Sequence, residues 1–328
     1  MERALLSATL LLAGLATLLS LASLPLLGAS LGIWGAALVL PGTLIGIYAR
    51  SLAVSRGEVG WALAISLAVF LAVALGLMAG AALSQAPTAN GVLILTGLAQ
   101  GGAGGAALCR LSAGQPLGLG QGVLARWRVL LRRAPWPLAG GLAGEIATRF
   151  YIFMVTAWAG PTAMAALAVG QTLLRPATLL AGAWAGAARS ALAQRHHAGD
   201  HRGFMRIVLL GSAGPALATL LLGVTLAGFW PQVAGLAFGG RFSDLAGIVL
   251  LWTANMSLSC FVFSYGVALQ AQGRLRAAAK ADIVAAVMIC ISMPILLLLL
   301  PPASALFAMI LGSLAQIALQ ARALRQRS

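Results

Sequence analysis

Uninterrupted apolar runs of about twenty residues recur along the whole chain and constrain its fold more than any other feature. A helix of about 20 residues crosses the ~30 Å hydrocarbon core of a membrane and satisfies its own backbone hydrogen bonds. The runs lie at residues 4–27, 31–49, 60–83, 91–109, 138–158, 163–187, 207–229, 246–269, 283–300 and 303–321. They predict an all-α polytopic membrane protein with roughly ten transmembrane helices.

Composition excludes a water-soluble fold. Hydrophobic residues make up 61% of the chain and charged residues 8%, whereas a soluble domain has roughly 25% charged residues. The mean hydropathy is +0.97. In a soluble protein the net charge of +15 would indicate nucleic-acid binding, but here the basic residues lie between apolar runs and act as topology determinants. We therefore expect no nucleic-acid partner.

The cysteines and the N-terminus add little chemistry. The three cysteines, Cys109, Cys260 and Cys290, have no motif spacing, so we expect no disulfide framework, no metal site and no cofactor. A signal peptide is an alternative interpretation of run 4–27, because small residues follow it. The run has the length of a full span, which favours a transmembrane helix.

The basic residues predict the orientation of the chain in the membrane. If the N-terminus is cytoplasmic, 18 of the 21 basic residues fall in cytoplasmic segments, and only Arg241 falls on the opposite side. Arg149 and Arg175 lie inside runs. Such an asymmetry follows the rule that cytoplasmic loops are enriched in lysine and arginine. We therefore expect a multi-pass protein of a bacterial-type inner membrane, with both termini in the cytoplasm.

A long basic break divides the chain into two predicted lobes. Residues 110–137 form the longest stretch between apolar runs and are punctuated by glycine and proline. The break separates an N-terminal lobe of four helices, residues 1–127, from a C-terminal lobe of six helices, residues 128–328. A weak internal repeat supports six-helix lobes, because two helix–basic loop–helix patterns recur six helices apart.

Short motifs follow one another in order along the C-terminal lobe. They are Arg149-Phe-Tyr-Ile-Phe153, Ala159-Gly160-Pro161, Gln171-Thr-Leu-Leu-Arg-Pro176, Ala191-Leu-Ala-Gln-Arg195, Gly199-Asp200, Phe238-Gly-Gly-Arg-Phe242 and Ala271-Gln-Gly-Arg274. This series resembles the polysaccharide flippases of the multidrug/oligosaccharidyl-lipid/polysaccharide (MOP) exporter superfamily. The N-terminal lobe is less similar, with Tyr48-Ala-Arg50 and Arg56-Gly57 as its best matches.

The resemblance implies both an architecture and a function. Members of that family have twelve helices in two six-helix lobes around a central cavity, and they move lipid-linked sugars across the membrane by alternating access. The resemblance therefore implies a lipid-diphosphate-linked sugar as substrate, with membrane lipid and polysaccharide assembly proteins as further partners. The first two helices of the family have no counterpart here, so either the start lies too far downstream or the member is shortened.

Arg175 is the leading candidate for binding the anionic head of such a substrate. It lies midway along run 163–187, near the membrane centre, where a charge costs roughly 2.5–3.5 kcal/mol. Its planar guanidinium suits phosphate oxygens. Pro176 frees a backbone carbonyl one turn earlier, and Gln171 lies on the same helix face. The alternative is an arginine satisfied by carbonyls of neighbouring helices.

Other polar residues within the runs have two interpretations each. Glu145 and Arg149 are spaced i, i+4, which predicts an ion pair that is either a protonatable coupling switch or a structural pair. Asn255 either faces a substrate cavity or bonds to a neighbouring helix. The glycine-rich run 101–105 lacks the lysine of a phosphate loop and predicts close helix packing. The histidine-rich segment 196–201 is expected to be a solvated loop rather than a metal site.

Three further functions stay open alongside the flippase. A drug or cation exporter of the same superfamily needs a carboxylate in its cavity, and Glu145 is the only acidic residue placed deep within a run. A polysaccharide polymerase or ligase needs a large extracytoplasmic loop with catalytic groups, whereas loop 230–245 offers only Arg241 and Asp244. A truncated, non-transporting paralogue would act as a scaffold. The expectation is a transporter and not an enzyme.

Overall fold

The chain is helical throughout the part that the structure describes. The computed structural model describes residues 34–82, 88–111, 134–240 and 242–326, with the isolated positions 9, 11–15, 17, 18, 128, 129 and 132. Most of predicted span 4–27, most of the predicted break 110–137 and Arg241 lie outside these residues. No strand occurs among the described residues, which is expected of backbone immersed in hydrocarbon.

Nine helices and one short turn make up the described chain. They are α1 (Trp34–Ser55), α2 (Val59–Ala82), α3 (Ala89–Leu111), α4 (Pro135–His197), α5 (His201–Gly228), α6 (Trp230–Phe238), α7 (Ala246–Ala271), α8 (Leu275–Leu299) and α9 (Ala305–Arg325), with a 3-10 turn at Pro302–Ser304. Eight of these helices, all except α6, are long and apolar enough to cross a membrane. Within the described residues this confirms the all-α class with membrane-length helices, whereas the count of ten spans stays a prediction.

Helix α4 is interrupted once along its length. Its 63 residues would extend about 95 Å as one straight helix, about three times the hydrocarbon thickness. Gly160 breaks it with φ 83° and ψ 171°, a conformation that a residue without a Cβ adopts readily. Pro161, which has no backbone N–H, starts the next segment. We call the two segments α4a, residues 135–159, and α4b, residues 161–197.

The chain divides into two compact units, residues 1–131 and 132–328. In the N-terminal unit, α1 packs along α3, and α2 packs mainly on α3. In the C-terminal unit, α7 lies between α5 and α9 and contacts α4, while α8 packs against α4 and α9. The predicted lobes of four and six spans, divided at residue 127, stay a prediction.

The core of the C-terminal unit joins both halves of α4 to α7. Tyr151 of α4a and Trp252 of α7 are fully buried and meet edge to face, with ring centroids 5.5 Å apart. The Trp252 indole N–H donates to the Leu167 carbonyl of α4b at 2.9 Å. Large apolar side chains also cover the outer surface, where Phe153 is 70% exposed and Leu299 is 75% exposed. Such a surface indicates a membrane-embedded protein, because lipid solvates it at no cost.

One end of the C-terminal unit, which we call the basic end, collects most of the unit's described cations. The start of α4, the α4–α5 and α7–α8 turns and the end of α9 meet there. It carries Arg132, Arg195, Arg202, Arg206, Arg274, Arg276, Lys280, Arg322 and Arg325. Among the described residues of the opposite end, between α5 and α7, there is no lysine or arginine.

Glycines allow α1 and α3 to approach closely in the N-terminal unit. A Cβ added at Gly97 would lie 2.6 Å from the backbone carbonyl carbon of Leu38, and one added at Gly104 would lie 2.8 Å from the Gly46 Cα. Within the glycine-rich run 101–105, Gly101 and Gly104 face α1, which confirms the predicted close packing for these two positions. Gly102 faces open space. Close approach of backbones is the usual way in which membrane helices associate.

Replacing Gly97 with alanine should therefore separate α1 from α3. The added methyl group meets backbone, which cannot rotate away, and we expect a loss of about 1–3 kcal/mol in folding free energy. Gly102→Ala on the same helix is the matched control and should be neutral or slightly stabilising, since alanine favours helix over glycine. Thermal unfolding of the detergent-purified full chain measures both. Equal midpoints for the two variants would contradict the packing.

Candidate functional site

A polar cavity opens between helices of the C-terminal unit. This inter-helix cavity measures about 630 Å³ and is lined by residues of α4a, α4b, α7, α8 and α9. Its polar lining includes Glu145, Arg189, Asn255, Asp282, Gln316 and Gln320. Each of the five helix segments thus contributes a polar side chain to a cavity whose surrounding helices are otherwise apolar. Ionisable side chains among membrane helices are costly and mark candidate functional sites.

Asp282 is a second carboxylate in this cavity, beside Glu145. It lies in the second turn of α8 and its Oδ1 accepts a hydrogen bond from the Gln316 amide of α9 at 2.6 Å. Helix α4a approaches it at Gly140, where an added Cβ would lie 2.8 Å from Asp282 Oδ2. Asp282 therefore joins Glu145 as an acidic residue within a membrane-length helix, and the depth of either carboxyl group in a membrane stays a prediction. Sequence reasoning missed Asp282 because it placed the start of that span at residue 283, whereas α8 begins at Leu275.

Asn255 faces the cavity and also bonds to a neighbouring helix. It is 5% exposed, and its Oδ1 accepts from the Ser313 hydroxyl of α9 at 3.4 Å. Deeper polar lining comes from Gln320 of α9, which is 1% exposed. Its Oε1 has no hydrogen-bond partner among the described residues. Both interpretations of Asn255 thus hold together, because the residue forms part of a polar wall along α7 and α9.

Glu145 and Arg149 form the predicted ion pair. Arg149 Nε donates to Glu145 Oε2 at 2.6 Å, which confirms the i, i+4 contact on α4a. Both side chains are about two-thirds exposed on the protein surface. Glu145 lines the cavity and Arg149 does not, so the pair lies at the cavity rim. A change in the charge of Glu145 would therefore act directly on Arg149.

Neither Arg175 nor Gln171 lines the cavity. The Gln171 Oε1 accepts from the Tyr151 hydroxyl of α4a at 2.7 Å. The Arg175 side chain is exposed, and its guanidinium has no hydrogen-bond or ion-pair partner in the part of the chain that the structure describes. The described residues therefore provide no carbonyl of a neighbouring helix to the Arg175 guanidinium, as the structural alternative requires. Of the five predicted site residues, the cavity brings together only Glu145 and Asn255.

Arg189 is a cation of the cavity that the sequence interpretation assigned to a loop. The predicted span ended at residue 187, but α4b continues to His197, so Arg189 lies within the helix and lines the cavity. The signal was present in the sequence, since no glycine or proline interrupts residues 187–198. The cavity therefore offers one guanidinium and two carboxyl groups, a combination that suits either an anionic or a cationic ligand.

The histidine-rich segment at the basic end is a helix-capping turn. Asp200 precedes α5 and accepts from the Gly203 backbone N–H at 2.8 Å, and it also pairs with Arg195. The Gly203 N–H, and then the Arg195 guanidinium, hold the pKa of Asp200 below its usual value. His197 and His201 flank this turn and are exposed. The Asp200 carboxylate thus caps the N-terminus of α5.

The ion pair at the cavity rim can be tested by a double-mutant cycle. Arg149→Gln alone leaves the Glu145 carboxylate without its cation, and we expect a lower folded yield. The double variant Glu145→Gln with Arg149→Gln should recover part of that yield. The matched control combines Arg149→Gln with Asp282→Asn, a carboxyl of the same cavity that bonds to Gln316 instead. Additive losses in both double variants would contradict the coupling.

Comparisons with known proteins leave the assignment to the geometry. No protein-family model, no curated protein and no solved structure matches this chain. The resemblance to polysaccharide flippases therefore stays a prediction from the sequence motifs. What the residues of the inter-helix cavity and Arg175 do must be argued from their own placement.

Proposed function

We propose that this protein is a membrane transporter of the flippase type, which moves a lipid-linked oligosaccharide or polysaccharide precursor across the inner membrane by alternating access. The proposal places both termini and the basic end in the cytoplasm, since lysine and arginine are enriched on that side. Its support is the motif series of the C-terminal lobe and the charged and polar side chains within the helices. No covalent step is assigned to any residue.

The observation that carries the proposal is the inter-helix cavity. Glu145, Asp282 and Arg189 line one cavity among membrane-length helices. A charge at the centre of a membrane helix costs roughly 2.5–3.5 kcal/mol on insertion scales, so a purely structural chain would gain by replacing Glu145, about midway along α4a, with an apolar residue. A transporter retains such groups because they bind a polar solute or change charge during the cycle. Glu145 is the proposed coupling residue, because its ionisation controls Arg149.

Arg175 is the proposed ligand for the diphosphate of the substrate. It lies about 21 Å along α4b from Pro161, counting 1.5 Å per residue, and its guanidinium is exposed. A guanidinium without protein partners has all its donors available for phosphate oxygens. Gln171 is committed to Tyr151 and is proposed to position α4a against α4b rather than to bind sugar. Arg189 and Asn255 are proposed to contact polar groups that enter the cavity.

Substitution of Arg175 tests this role. Arg175→Ala should lower transport by about 10- to 100-fold, because a hydrogen bond to a charged group contributes about 1.5–3 kcal/mol. Arg175→Lys keeps the charge but loses the planar guanidinium, so its transport activity should lie between those of the unsubstituted protein and Arg175→Ala. The measurement is complementation of a strain that lacks its own polysaccharide flippase, with membrane abundance measured in parallel. Arg202→Ala, an exposed cation of α5, is the matched control and should complement normally.

The abundance measurement distinguishes binding from structure. Removal of an unpartnered charge from a membrane helix should leave abundance unchanged or raise it. Full complementation by Arg175→Ala at normal abundance would remove Arg175 from the substrate site. Failure of the unsubstituted chain to complement would count against the flippase function itself.

The second candidate function is a drug or cation exporter, and Asp282 favours it. Two carboxyl groups in one cavity give a cationic solute more attraction than Glu145 alone would. Asn in place of Asp282 keeps an oxygen that accepts from Gln316 but removes the charge. If the exporter function holds, cells expressing the chain should accumulate less lipophilic cationic dye, and Asp282→Asn should abolish that difference. Equal dye accumulation with and without the chain would exclude the exporter.

A further inference from the structure

Four cations line a second cavity, which lies at the basic end. This basic pocket measures about 770 Å³, and its side chains include Arg132, Trp136, Arg274, Arg276 and Lys280. No aspartate or glutamate lines it among the described residues. Four like charges around one cavity repel one another, which destabilises the empty pocket and favours an anion within it.

The start of α8 adds to the positive potential of the basic pocket. Gly273, Leu275 and Ala277 line the pocket, so the first turn of this helix borders it. The N-cap residue is Arg274, which has no acceptor atom in its side chain and makes no cap hydrogen bond. The first N–H groups of α8 thus lack a side-chain cap, and they carry the partial positive charge of the helix dipole. An oxyanion at this point meets backbone donors as well as cations.

Three contacts hold two of the cationic side chains in place before any ligand arrives. The Arg276 guanidinium lies over the Trp136 ring, with its Cζ 5.8 Å from the ring centroid. Arg274 donates to the Ala323 carbonyl, and to the Gln326 carbonyl at 2.7 Å. The pocket wall is therefore tied to the beginning of α4 and the end of α9. Side chains held in this way lose little conformational entropy when they bind a ligand.

The surroundings of the basic pocket match the headgroup depth of a membrane. Trp136 is of the residue type that is enriched at the membrane–water interface. Val284, four residues after Lys280 on the same face of α8, is 41% exposed, and Val287 on the next turn is 50% exposed. An anion in the pocket would thus lie beside an apolar helix surface on which acyl chains can pack. A soluble phosphate would use the cations but leave this apolar surface without a partner.

We propose that the basic pocket binds the phosphodiester headgroup of an anionic phospholipid. Arg276 and Lys280 contact the phosphate oxygens, the Leu275 and Arg276 backbone N–H groups donate to them, and Val284 and Val287 contact the acyl chains. A lipid with two phosphodiesters, such as a diphosphatidylglycerol, should bind more tightly than one with a single phosphodiester, because four cations surround the site. The site is separate from the inter-helix cavity and does not depend on the transport function.

Native mass spectrometry of the full chain tests this site by counting retained lipids. The probes are diphosphatidylglycerol, phosphatidylglycerol, zwitterionic phosphatidylethanolamine and inorganic phosphate, each titrated against detergent-purified protein. The variant Arg276→Gln with Lys280→Gln should weaken diphosphatidylglycerol binding about tenfold or more, since two charge-assisted contacts are lost. The control Arg202→Gln with Arg206→Gln removes the same charge from exposed positions at the same end and should change the affinity less than about twofold.

The outcomes separate the pocket from general surface charge. Tighter binding of the anionic lipids than of phosphatidylethanolamine, lost only in the pocket variant, supports the proposal. Equal weakening in both double variants, or equal binding of phosphatidylethanolamine, overturns it. Displacement of the lipid by an equal concentration of inorganic phosphate would show that the pocket binds a soluble anion, and it would also overturn the proposal. Lys280→Gln alone, at an exposed position, gives the same comparison with a smaller effect if the double variant folds poorly.

Discussion

The hydrogen bonding of the backbone in a solvent without donors or acceptors determines the rest of this structure. In hydrocarbon each peptide group must find its partner within its own segment, so the described chain is helix joined by short turns. Apolar side chains gain nothing by leaving lipid for the protein interior, which is why association depends on contact area between backbones. The small residues at the α1–α3 contact, and Gly140 beside Asp282, follow from this requirement.

Polar side chains within the C-terminal unit are subject to the same constraint, because they too need hydrogen-bond partners within the protein. Where a side chain has hydrogen-bonding atoms, its own helix or a neighbouring helix generally supplies the partner. The Thr219 hydroxyl donates to the Pro215 carbonyl of its own helix, whereas Gln316 bonds to Asp282 across two helices. The exceptions are informative because the cost of an unpaired group is not recovered within the protein. Arg175 has no partner in the described chain and carries an exposed charge within a membrane-length helix, which is the physical reason for proposing a ligand there.

The sequence predicts local features of this protein well and its tertiary contacts poorly. The helical class follows from the apolar runs, and the Glu145–Arg149 pair follows from a spacing of four residues, so both need only local geometry. Asp282 and Arg189 were missed because a charged residue was taken to end a span, whereas α8 already begins at Leu275 and α4b continues to His197. The Tyr151–Gln171 contact requires the chain to turn back at Gly160, which apolar periodicity does not encode.

The break at Gly160 has a mechanical consequence for the inter-helix cavity. Glu145 lies on α4a and Arg189 lies on α4b, so one carboxyl group and the guanidinium group of the cavity belong to two rods that share a single joint. Bending at that joint would alter the spacing of the walls while every hydrogen bond within each rod stays intact. The turning residue carries no side chain and has nothing within 4 Å of the position where a Cβ would stand, so resistance to bending comes from contacts between the rods, such as the Tyr151–Gln171 hydrogen bond. A small torsional change at Gly160 is thereby converted into a displacement of Glu145, 15 residues before it, and of Arg189, 29 residues after it.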